Sequence, residues 1–63
     1  MEKGIITIFN KVEGFGFIQY GSILIKFYKR NITGELFIYD TVIFEINYEG
    51  LETTAINVKK ATT

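Results

Sequence analysis

The chain has 63 residues, no cysteine, no histidine, and seven basic against seven acidic side chains for a formal net charge of zero. That length allows one domain, residues 1–63, whose folding buries only about 60% of the unfolded surface. Without Cys or His there is no disulfide, no usual zinc or transition-metal ligand set and no Cys–His or Ser–His pair for nucleophilic catalysis, so neither a cofactor nor an enzyme is expected.

The N-terminal residues Met1-Glu2-Lys3-Gly4 do not begin a signal peptide. The longest apolar runs, such as Ile23-Leu24-Ile25, are too short to cross a bilayer, so the expectation is a cytoplasmic protein with no membrane partner. The neutral total hides a lopsided chain. Residues 1–30 hold Lys3, Lys11, Lys26, Lys29 and Arg30 against Glu2 and Glu13, a net +3. Residues 31–52 hold five acids and no base, and the remainder adds Lys59 and Lys60. A polyanion feels such local patches rather than the total, although charge segregation alone is equally consistent with ordinary solvated surface.

Five segments read as strands: Gly4–Lys11, Gly14–Tyr20, Ser22–Tyr28, Thr41–Tyr48 and Leu51–Lys60, all rich in β-branched and aromatic residues. Gly14 ends the polar turn after the first, and Gly21 and Gly50 mark tight connections after the second and fourth. The third connection, Lys29–Asp40, is longer and is expected to hold a helical turn or structured loop with Leu36-Phe37-Ile38 packed beneath it. No segment carries the apolar spacing of a helix. Five short strands in so small a chain remove their edges by closing into a barrel. The expected class is all-β, a five-stranded antiparallel Greek-key barrel of the OB type, with an SH3-like barrel as competitor. The long third connection favours OB.

The stretch Glu13–Tyr20, E-G-F-G-F-I-Q-Y, carries the functional signal. In a strand, Gly16 and Ile18 share one face while Phe15, Phe17 and Gln19 share the other. A small barrel takes Ile6, Ile18, Ile25, Ile46 and Val58 inward, which turns both phenyl rings outward. Exposed neighbouring rings on a sheet suit stacked nucleobases, each worth about 1–3 kcal/mol. Gly14 and Gly16 either serve a tight turn and a strand bend at a barrel corner or allow close approach of a ligand or backbone beside the rings. The G-F-G step is not a dinucleotide loop, since the third glycine and the following helix are missing.

Gly14–Tyr20 also resembles the RNP1 motif, in which a basic residue precedes glycine, aromatic, glycine and aromatic. An RNA-recognition-motif domain needs two helices that this chain does not offer. The cold-shock domain needs five strands and does fit. Gly4–Asn10 is similar to that family's G-x-V-K-W-F-N opening, and Ile23–Phe27 to its V-F-V-H-F strand. Val42–Ile46 is similar to V-x-F-E-I, and Ala55–Val58 to A-x-N-V. Together the matches run in register over residues 3–60 and are weakest over 28–40.

The resemblance implies binding of single-stranded RNA or DNA with weak sequence preference, in an RNA-chaperone or antitermination-like role. Its platform maps to Phe9, Phe15, Phe17 and Phe27 with the ring kept, and to Ile8, Leu24 and Lys26 with the chemistry changed. Lys11, Lys26 and Lys29, with Lys59 or Lys60, would neutralise phosphates and make binding salt-dependent. Ile8 stands where the family has Trp, Leu24 where it has Phe, Lys26 where it has His, and Glu13 where it has a base. Losing two rings removes about 2–4 kcal/mol of stacking and moves affinity to micromolar or weaker. Phe37 or Tyr39 could stand in from the third connection. The same substitutions favour a second reading, an apolar patch of Ile8, Phe15, Phe17, Leu24 and Phe27 used for protein contact or homodimerisation, so the chain is expected as a monomer or weak homodimer. Tyr28, Tyr39 and Tyr48 read as half-buried barrel residues, Asn10 and Asn57 as caps of turns or strand ends, Glu45 and Glu49 as solvent-facing, and Thr62 and Thr63 as a frayed tail.

Overall fold

The computed structural model describes residues 1–61, apart from the side chain of Glu49. The expectations for Thr62, Thr63 and the Glu49 side chain lie outside the described residues.

The strands are β1 (Glu2–Asn10), β2 (Phe15–Tyr20), β3 (Ile23–Tyr28), β4 (Ile32–Thr33), β5 (Thr41–Glu49) and β6 (Glu52–Lys60). The five long ones match the five expected segments to within two residues at each end. The third connection holds a 3-10 turn at Lys29–Asn31 and the two-residue β4.

β1, β2 and β3 form an antiparallel meander, β1 also pairs with β5, and β5 pairs with β6. The ring closes where β6 runs parallel to β3, with Lys26 opposite Thr54 and Phe27 opposite Ala55. β4 lies parallel to the far end of β6. The ladders are thus antiparallel except at this closure and at β4. The long third connection and the parallel closing pair make this the OB-type barrel rather than the SH3-like one.

The core follows the two-residue period of each strand. Gly16 and Ile18 point inward from β2, Ile25 and Phe27 from β3, and Val42 and Phe44 from β5. Phe27 and Phe44 are the largest fully buried side chains, each worth about 1.5–3 kcal/mol in area removed from water. Of the five residues expected inside, Ile6, Ile18, Ile25 and Val58 are buried, and Ile46 packs partly buried against them. Leu36, from the third connection, is also fully buried. Its neighbours Phe37 and Ile38 are exposed, so only one of the three residues expected beneath this connection packs inward. Tyr20 closes one end: its ring meets Phe44 edge-on at 5.7 Å and its hydroxyl donates to Glu2, which raises the phenol above its ordinary pKa.

Two bulges reset the period. In β1, Ile6 pairs with Ile18 and Ile8 with Phe17, so Thr7 is an extra residue. Ile6 points in, Ile8 points out, and Phe9 returns toward the core. In β6, Lys59 and Ile56 pair with Ile43 and Glu45, which leaves an extra residue between them. Asn57 sits there with φ 52° and donates its amide to Glu45 at 2.8 Å. Asn is among the few non-glycine residues at ease in that left-handed region. Asn57 therefore shapes a mid-strand bulge rather than capping a strand end, and the bulge lets both Ala55 and Val58 face inward.

Candidate nucleic-acid interface

The candidate surface is the outer face of β1, β2 and β3, and the register lays its side chains in rows across the strands. One row is Ile5, Gln19 and Leu24; the next is Ile8, Phe17 and Lys26; the third is Asn10, Phe15 and Tyr28. Phe15 and Phe17 stand on this face partly exposed, as the period of β2 requires. The Thr7 bulge brings Ile8, 47% exposed, beside Phe17, and Leu24 is 51% exposed on the neighbouring strand.

Gly16 settles its own two readings. A Cβ there would lie 2.4 Å from the Ile8 carbonyl oxygen and 2.6 Å from the Phe27 ring. The glycine admits the β1 backbone and the Phe27 ring from within the barrel, so its role is internal close approach and not space for a ligand. Gly14, at φ 82°, ends the β1–β2 turn. Its N–H donates to the Asn10 carbonyl at 2.8 Å, and the Asn10 side chain accepts from the Glu13 N–H at 2.9 Å. Asn10 caps the turn as expected. The Gly14 carbonyl accepts from the Lys29 N–H at 2.9 Å, which ties the start of the third connection to the ring-bearing hairpin.

Phe27 requires a correction. The family pattern puts it on the binding platform, yet its ring is fully buried, with 0% exposure. The pleat explains this: Leu24 and Lys26 face outward on β3, so Phe27 must face inward with Ile25. Phe9 is intermediate. After the bulge it turns toward the core and meets Phe27 edge-on at 5.2 Å, leaving only part of its ring available.

The displayed rings carry cations. Lys26 Nζ lies 5.0 Å from the Phe15 centroid and 5.1 Å from that of Tyr28. Arg30 sits over the Tyr28 ring at 4.5 Å. Lys11 Nζ lies 4.3 Å from the Phe37 centroid and 5.5 Å from that of Phe9. Each contact is worth about 0.5–1 kcal/mol at an exposed site. Phe15 and Phe17 meet edge to face, with centroids 6.1 Å apart and planes at 87°. Lys29 is exposed on the turn following β3.

Sequence reasoning set Tyr28 aside as a barrel residue and gave Arg30 no role. Tyr28 is half-buried as expected, but its ring lies beside Phe15 and within reach of both Lys26 and Arg30. Its even-numbered place on β3, shared with Lys26, was the available signal. Phe37, considered as a stand-in, is 52% exposed and borders the face through Lys11. Tyr39 and Tyr48 are both largely exposed rather than half-buried, and Tyr39 is held at φ 74° in a turn whose N–H donates to the Ile6 carbonyl. Among the described residues no cluster of His, Cys, Asp or Glu could hold a metal ion, and no helix is long and apolar enough to cross a membrane.

No protein-family model and no curated protein matches the chain. Among solved structures, Drosophila Unr CSD456 matches it with a TM-score of 0.83 and 27% identity. The match covers 97% of this chain and 26% of that one, so the chain spans about a quarter of its length. With that likeness running over nearly every residue of a barrel closed by β3 on β6, the chain is a cold-shock-domain-like protein of the OB-fold type.

Proposed function

We propose that this chain binds single-stranded RNA or DNA on the outer face of β1–β3. The observation that carries this reading is the partial exposure of Phe15 and Phe17 on a face that carries Lys26, with Lys11 at its border and Lys29 exposed on the turn after β3, while the barrel core is complete without the two rings. Bases stack on the phenyl rings, and the cations now resting on ring faces move to phosphates as bases take their place. The likeness to a cold-shock-domain structure supports the same partner class. Ile8 and Leu24 supply apolar contact without a stacking face, so affinity is micromolar and sequence preference weak, suited to an RNA-chaperone-like role. The test is the double substitution Phe15→Ala with Phe17→Ala, made in the folded domain and titrated with a short oligo-U. Binding should fall at least tenfold while the thermal transition survives. Unchanged binding would sink the reading.

A second reading has its own observation. Ile5, Ile8 and Leu24 border the rings as exposed aliphatics, a composition suited to a protein surface. In that case the β1–β3 face pairs with a second copy, and sedimentation over a range of concentrations would find a dimer that oligo-U does not dissociate.

A further inference from the structure

Next to the platform, on the side where β3 closes on β6, lies an open groove of about 230 Å³ that is not part of the ring face. Tyr28, Arg30 and Asn31 form one bank, and Asn47, Glu52 and Thr54 the other. Tyr28 joins groove to platform, since it stands opposite Phe15 in the β2–β3 register. Its hydroxyl donates to Glu52 Oε1 at 2.8 Å, which orients the carboxylate. Arg30 is held over the Tyr28 ring at 4.5 Å. Among the described residues Arg30 and Glu52 form no salt bridge with each other, so the guanidinium keeps its donors and the carboxylate keeps Oε2.

A carboxylate along a polyanion track is unfavourable unless it accepts hydrogen bonds from the ligand. The ligand must therefore present donors to Glu52 and acceptors to Arg30. Uracil offers one ring N–H between two carbonyls. Guanine offers N1–H and N2–H₂ side by side on one edge and O6 with N7 on the other, and Arg paired with O6 and N7 is the commonest specific base contact. We propose that this groove selects one guanine in a strand whose neighbouring bases stack on the Phe15–Phe17 face, with Glu52 accepting from the guanine N–H groups and Arg30 donating to O6 and N7. The inference rests on the nucleic-acid reading above and adds a sequence preference to it.

The test compares a seven-nucleotide oligo-U with a set carrying a single guanosine at successive positions, followed by amide NMR. One register should bind at least about fivefold tighter than oligo-U, with shifts at residues 28–31 and 52–56 that oligo-U does not produce. Glu52→Gln removes the charge but keeps an oxygen to accept from Tyr28. It should cut the guanine preference to within twofold, and oligo-U should bind as well as before or slightly tighter because a like charge beside the strand is gone. Arg30→Ala should do the same to the preference. Equal affinity for every guanosine-bearing strand and oligo-U would overturn the groove assignment and leave the platform reading standing. A preference for adenosine or cytidine at that position would also overturn it. Failure of all the strands to bind would overturn both.

Discussion

β2 and β3 present two faces with the same kind of residue put to opposite uses. On the inner face Phe27 is fully buried, with Gly16 on the neighbouring strand leaving space for its ring. On the outer face Phe15 and Phe17 are partly exposed, and the Lys26 cation lies over Phe15. One residue of pleat separates a ring that holds the barrel together from a ring free to meet a ligand. Residue type therefore does not assign function here. Strand parity does, and only after the bulges have been counted.

The comparison breaks most visibly at Phe27. Phe27→Ala empties the centre of a small core and should cost about 3–5 kcal/mol, enough to unfold much of the population, as read by chemical denaturation. Retained stability would mean that the ring is not the keystone its burial indicates. Gly16→Ala sharpens the same point from the other side of the contact. The added Cβ meets the Ile8 carbonyl and the Phe27 ring, so about 2 kcal/mol or more should be lost through overpacking, with no change in the sequence preference of whatever folded protein remains.

Smaller effects belong to the outer face. Phe17→Ala should lower oligo-U affinity by about 1–3 kcal/mol while shifting stability by less than 1 kcal/mol, measured by calorimetric titration beside a thermal melt. An equal loss of stability and binding would erase the distinction between the faces. Lys26→Gln should flatten the dependence of log affinity on log salt by about 0.7, the contribution of one phosphate contact to a single strand. An unchanged slope would place Lys26 on the rings even in the bound state.

Much of the barrel was legible in the sequence because its signals are local. Gly21 and Gly50 set tight connections, Asn10 and Gly14 made the first turn, and alternation in F-G-F-I-Q placed Phe15 and Phe17 outward. The bulges were not legible. An extra residue at Thr7 or near Asn57 exists only relative to a partner strand, so the turn of Phe9 toward the core and the mid-strand place of Asn57 appear only once the pairing is known. Phe27 was misplaced for a different reason: the family pattern outweighed the parity that already set Ile25 inside and Lys26 outside. The groove beside Tyr28 was hidden because β3 and β6 are far apart in the chain and meet only at the closure.

The most direct test of the central claim is an amide NMR titration of the folded domain with oligo-U at about 50 and 200 mM salt, since the chain has no tryptophan to report quenching. Shifts should gather on Gly14–Phe17, Leu24, Lys26 and Lys11 and weaken at the higher salt, while Ile25 and Phe27 move least. No shifts at either salt, with lines that broaden as protein concentration rises, would contradict the claim and turn the ring face toward a second copy of the chain.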